Sequence, residues 1–339
     1  TMTMNQIKSR TCQLLGSCLA LTTFLFASVA ANALSLPPRF FHKTLVGTNF
    51  VPILGMNVDG NVNPLDPSYT ISSDADIEAN VVMAGYARNF SLFGRSSQLA
   101  YMQPMGDISI RSTSGAAFPI DSSANGFGDP FFEFNINLIG PAPQRTLPDA
   151  LRYNPGFSMD LLLDLSVPLG EYDKGEAVNM GMNRFWGRVG FPMIYQIGDV
   201  WAPGHRTSFE VIPAVIWYGD NDDYGPTGNF TQSTDPGYSV AAHLTHDLSD
   251  EMWVSLDYTY MQLGDSEVGP VETDGKSFSS VGATIGTQIT RNMVFSLGYQ
   301  TTMDDNDPKD IQMSTFSASI TFFWGSVLEG LHRIGSDGQ

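Results

Sequence analysis

Seven polar side chains in this sequence fall at spacings that could carry chemistry. Glu133 and Asn135 lie in one stretch, Asp160 and Asp164 in the next, Arg184 and Arg188 in a third, and Glu210 in a fourth. Even spacing within an extended chain puts each pair on one face. If the four stretches are neighbouring strands, about 4.8 Å apart, two arginines between acidic rows form a charged ladder. Opposed charges across a lumen would orient a polar or aromatic solute and act as a selectivity filter. The competing account is structural, because charges buried in a narrow interior must pair.

A second set of acids lies in polar segments. Asp220, Asp222 and Asp223 fall in one, Asp265, Glu267, Glu272 and Asp274 in another, and Asp304, Asp305 and Asp307 in a third. The last offers oxygen ligands to a divalent cation but lacks the full calcium-loop pattern. A solvated face or cation bridges to lipid headgroups would use the same acids. No zinc motif or P-loop is present, and Gly126-x-Gly128 lacks the third glycine of a dinucleotide loop. His243 and His246 have serines nearby, Ser239 and Ser255. The alternation sends His243 inward and His246 toward a turn, so neither reads as a lipid-facing catalytic histidine. The chain is expected to be no enzyme and to need no cofactor or metal.

The elements that must position these residues are strands. Phe132 to Leu138, Phe157 to Leu161 and Phe316 to Phe322 alternate apolar with polar or small residues, the period of a β-strand. One face carries Glu, Asp, Asn and Arg, and the other is Phe, Leu, Ile, Val and Tyr. The pattern predicts twelve strands, near 47–58, 76–89, 97–111, 126–138, 156–167, 184–196, 207–218, 237–247, 252–261, 278–288, 293–301 and 312–324. Short connections at 248–251 and 290–292 alternate with long polar ones, as in barrels with short periplasmic turns. Residues 139–155, with four prolines, break this rule; a short helix near 147–151 or a plug from below would account for them. Tyr86, Trp217, Tyr258, Tyr299 and Trp324 suit interfacial girdles.

The ends and the composition agree. Lys8 and Arg10, an apolar run over 14–29 and Ala31-Asn32-Ala33 read as a cleaved signal peptide, residues 1–33. The alternative is a lipid-attachment site at Cys18. Both cysteines, Cys12 and Cys18, fall inside the signal, so the remainder has no thiol chemistry. No later apolar run is long enough for a spanning helix. The signal holds two of the 17 basic residues and none of the 35 acids, leaving 15 against 35, a balance of −20 that argues against nucleic acid. Residues 34–324 are expected to form an all-β, transmembrane, antiparallel up-and-down barrel of about twelve strands in the bacterial outer membrane. Residues 325–339 would be a periplasmic tail. A soluble periplasmic β-protein would need the aromatic face buried.

Two stretches carry a family resemblance. Gly126-Phe127-Gly128-Asp129-Pro130 opens one strand. Pro168-Leu169-Gly170-Glu171-Tyr172-Asp173 follows the next and leads to Asn179-Met180-Gly181-Met182-Asn183-Arg184-Phe185-Trp186. This order resembles the outer-membrane proteins named as transporters of the meta-cleavage phenol-degradation pathway. The resemblance covers 126–196 well and implies an outer-membrane barrel linked to uptake of aromatic or hydrophobic compounds. The expected function is therefore passive uptake of such solutes, with outer-membrane lipid as the surroundings. Small inward residues, Ser280, Gly282, Thr284, Gly286, Ser296 and Gly298, would leave space for them. The alternative is a plugged structural or surface-interaction barrel acting through its acidic outer loops. The position of 34–46 and 139–155 decides between the two.

Overall fold

The computed structural model describes residues 37–66, 75–112, 120–146, 156–198, 206–225, 229–303 and 310–325. The signal segment, 147–155, Asp304 to Asp307 and the tail beyond Gly325 lie outside them. Twelve antiparallel strands close into a barrel. They are β1 (Asn49–Gly60), β2 (Asp76–Leu92), β3 (Arg95–Ser112), β4 in two pieces (Ile120–Phe127 and Phe131–Ile139), β5 (Phe157–Ser166) and β6 in two pieces (Trp186–Gly190 and Met193–Ile197). There follow β7 (Thr207–Tyr218), β8 (Gly237–Asp247), β9 (Met252–Gln262), β10 (Ser277–Thr290), β11 (Met293–Thr302) and β12 (Met313–Trp324). Each strand pairs with the next, and β12 returns to β1 with Trp324 opposite Asn49. The end where β1 begins and β12 finishes is the base; the other is the loop end.

Turn chemistry sets the registers. Phe93 and Gly94 join β2 to β3 with φ of 51° and 72°, the two left-handed residues of a type I′ turn. Phe93 is 90% exposed at the tip. The four-residue turn after β8 pairs Asp247 with Trp253 and, further up, His243 with Asp257.

The polarity of the strand faces changes along the barrel. Near the base the outward residues are apolar: Val82, Tyr86, Leu99, Tyr101, Phe132 and Tyr195 are all exposed. Toward the loop end they are polar, with Glu78, Asn80, Asp107 and Arg111 exposed while Ile77, Ala79, Ile108 and Ile110 are buried inside. Asn57, Asn80 and Asp107 link side by side on the outer wall, at 2.8 and 3.1 Å. β2 and β3 have 17 and 18 residues, more than the roughly 9–11 that cross a bilayer. Their surplus stands in water and follows the opposite rule, apolar inside. The expectation of one polar inner face along every strand therefore fails in the loop-end half.

That half is filled. Val62 and Leu65 from the connection after β1, Val178 and Met180 from the one after β5, and Ile311 before β12 pack on the inward Val58, Ile77, Ile108, Ile110 and Met313. A separate four-stranded sheet (Asn221–Tyr224, Phe230–Thr234, Ser266–Val268, Val271–Thr273) ties together the connections after β7 and β9.

The segments of the family resemblance build this closure. β4 breaks at Gly128 to Pro130, and Asp129 turns its carboxylate to the amides of Gly170 and Met182, each at 2.7 Å. A Cβ on Gly170 would lie 2.7 Å from the Asp129 nitrogen, so the close approach requires glycine. The side chain of Asn221 donates to the Met182 carbonyl, at 3.2 Å, and to the Tyr172 hydroxyl, at 3.0 Å. These bonds fold residues 167–185 over the lumen.

Candidate functional site

The inward side chains at the base on β4 to β9 include Glu133, Asp160, Asp164, Glu210, Asp247 and Asp257, and a segment of opposite charge lies among them. Residues 37–48 run inside the barrel before β1 begins. Pro37 and Pro38 stiffen the entry, and Arg39 turns the chain with φ of 68°. Phe41 is buried against Leu162, Ile194, Ile212 and Ala241, the inner wall of β5 to β8. The Gly47 amide donates to the Asn89 carbonyl of β2 and the Asn89 amide to the Thr48 carbonyl, each at 2.9 Å, and the Val46 amide donates to the Gln144 carbonyl at 2.9 Å.

Three basic side chains of the segment meet three wall carboxylates. The Arg39 guanidinium lies 2.6 Å from Asp247 and 4.7 Å above the Trp253 ring, and its Nε donates to Thr245 at 3.2 Å. His42 Nε2 sits 3.0 Å from Glu210 Oε1, which also accepts the Arg39 amide at 3.1 Å. The Lys43 ammonium pairs with Asp160. Trp253 is itself seated on Gly286, where a Cβ would come within 2.2 Å of the indole.

All seven residues singled out in the sequence are buried. Their partners are only in part those of a ladder. Arg188 Nε reaches Asp164 at 2.5 Å, and Glu133 is the register partner of Asp164 on its other side, so Asp164 stands between a carboxylate and a guanidinium. Asn137 donates to Asp160 at 2.8 Å. Arg184 precedes β6 instead of lying on it. It makes bonds of 2.9 and 3.0 Å to Asp66, in the connection after β1, and one of 2.9 Å to Thr234. It therefore ties the loop end together and does not face an acidic strand. Sequence reasoning passed over Arg39, His42, Lys43 and Asp247. Three basic residues within five positions, just ahead of the first strand of an acidic barrel, were the available signal.

Between the segment and the wall of β1 and β9 to β12 lies a cleft of about 540 Å³. Phe50, Trp253, Val294 and Phe323 give it apolar walls, and Ser296, Ser319, Gln288 and Arg206 supply polar points. Deeper in, a pocket of about 50 Å³ is bordered by His243, Asp257, Thr284, Gln300 and Thr315. Of the small inward residues, Thr284, Ser296 and Gly298 border this pocket. Among the described residues no group of three or more His, Cys, Asp or Glu is placed to hold a metal ion.

Closed antiparallel strands with apolar walls outside and a charged base inside define a transmembrane β-barrel of the outer-membrane type. The chain belongs to the family described as "Putative MetA-pathway of phenol degradation", which matches residues 46–320. The barrel is similar to the COG4313 outer membrane channel from Pseudomonas putida F1, with a TM-score of 0.66 and 15% identity, covering 86% of this chain and 100% of that one. Weaker likenesses are the transport unit of the autotransporter AIDA-I from Escherichia coli (TM-score 0.47, 10% identity, 87% and 95% covered) and a Pseudomonas aeruginosa FadL homologue (0.38, 9%, 81% and 89%). No curated protein matches the sequence.

Proposed function

We propose that this barrel is an outer-membrane channel for small hydrophobic or aromatic compounds, with the base toward the periplasm and residues 37–48 as its gate. A single observation carries the function: an apolar cleft of about 540 Å³ lies inside a membrane barrel, directly beside a segment whose Arg39, His42 and Lys43 are seated on wall carboxylates. A cleft of this size and lining accepts a one-ring solute. The apolar interior toward the loop end and the family membership support the same class. Asp160 and Glu210 hold the gate, Glu133, Asn135, Asp164 and Arg188 line the lumen beside it, and Arg184 fastens the outer loops. The barrel carries out no covalent chemistry in this reading.

One observation favours the plugged alternative: loop-end segments fill the lumen while 37–48 fill its base. Planar-bilayer conductance of the refolded protein and of a variant lacking 37–45 separates the two, together with toluene entry into loaded liposomes. Low conductance that rises to a steady ohmic level in the variant, with toluene entry, supports the channel. A variant that inserts, by protease protection, yet stays silent and excludes toluene leaves the barrel plugged, acting through its acidic loops.

A further inference from the structure

We propose that His243 is the hydroxyl-recognising end of a small-molecule site inside the barrel, taking a ligand with an apolar body and one alcoholic or phenolic hydroxyl. This deepens the channel reading above and rests on it for the route of entry.

His243 points inward from β8 and is 2% exposed. Its Nδ1 lies 2.8 Å from Asp257 Oδ1. The same carboxylate already accepts the Ser255 hydroxyl at 2.5 Å and the Thr284 hydroxyl at 2.6 Å. An ionised carboxylate only accepts, so Nδ1 carries a proton, and in the neutral ring Nε2 presents a lone pair. That Nε2 is buried and has no hydrogen-bond partner among the described residues. The group opposite it in register is Glu210, whose oxygens face His42 and the Arg39 amide and have no proton to offer a lone pair.

A buried acceptor with nothing donating to it is unusual in a folded interior and asks for a donor from elsewhere. The space around it says what kind. The pocket that His243 borders, about 50 Å³, admits a hydroxyl but no ring. Pro37, Pro38, Ser296 and Ser319 border both this pocket and the cleft of about 540 Å³, so the two spaces adjoin. A ring in the cleft, against Phe50, Trp253 and Phe323, brings a one-carbon hydroxyl arm toward Nε2. Asp257 occupies Nδ1, so Nε2 is the ring nitrogen left to meet a ligand's donor.

Benzyl alcohol and its methyl ether share the ring and the oxygen but differ in the proton. Their affinities for the full refolded protein are read from Trp253 fluorescence, against protein-free micelles. The alcohol is expected to bind about tenfold more tightly, and His243→Phe to bring the ratio near one while leaving the ether unchanged. Equal wild-type affinities, a preference for the ether, or a ratio that survives in His243→Phe would overturn the proposal. If that variant does not fold, the His243 ring nitrogen resonances of the wild type decide: the alcohol must move Nε2 and the ether must not. Toluene entry into liposomes keeps the two claims apart. Toluene entry without discrimination sinks the hydroxyl site alone; discrimination without toluene entry sinks the channel and leaves a binding site.

Discussion

Arg188 on β6 is bonded to Asp164 on β5, and Asp164 in turn faces Glu133 on β4. Removing one partner of a buried ion pair leaves the other charge uncompensated, at a cost of about 3–5 kcal/mol. Arg188→Ala is therefore expected to lower the urea midpoint of the refolded barrel strongly, and Arg188→Ala with Asp164→Leu to recover much of the loss. The same single variant should shift the reversal potential toward cation selectivity, since the acids beside the gate then stand unopposed. A normal midpoint with altered selectivity would mean that water reaches the pair. Alternation alone placed this pair in the sequence. It could not choose the partner of Arg184, because Asp66 lies 118 residues away in a connection with no period of its own.

At the scale of elements, the change of polarity along β2 and β3 makes the loop-end half behave like a water-soluble barrel. Ile110 is fully buried there, among residues delivered by the loops. Ile110→Ala is expected to cost about 2–5 kcal/mol, seen as a lower midpoint, where a small residue in an open aqueous lumen would be nearly neutral. The outward Asp107→Asn, on the same strand, should change little. Strand positions were legible in the sequence because a period of two survives whichever face is apolar. The direction of each face was not, since it depends on how far a strand stands above the bilayer, and chain length alone does not fix that height. The break in β4 was equally hidden. Gly128 to Pro130 read as the opening of a strand, whereas Asp129 is held by amides from a connection some forty residues later.

In the gate proposed above, the seat of His42 on Glu210 predicts the response of the whole molecule to pH. Burial holds the His42 imidazole below its ordinary value of 6.5; the attraction of Glu210 opposes this, and Arg39 and Arg206 add to it. A seated ring that resists protonation stays neutral while the released segment takes up a proton below about 6.5, so the seat weakens as pH falls. Conductance is expected to rise from pH 7.5 to pH 5.5 and to rise much less in His42→Asn. An unchanged slope in that variant would assign the response to the wall carboxylates.

The sequence by itself determined the barrel: its twelve strands, their order and the alternation of long and short connections. These are local properties, written in a two-residue period and in turn residues a few positions apart. It also marked the acids that the interior must satisfy. Only the tertiary structure decided what satisfies Asp160, Glu210 and Asp247. Residues 37–48 have neither period nor motif, and their three basic side chains acquire meaning only when closure of β12 on β1 carries the segment into the lumen beside Asp160, Glu210 and Asp247. Pairings across more than a hundred residues depend on the closed shape, which no single stretch of the chain encodes.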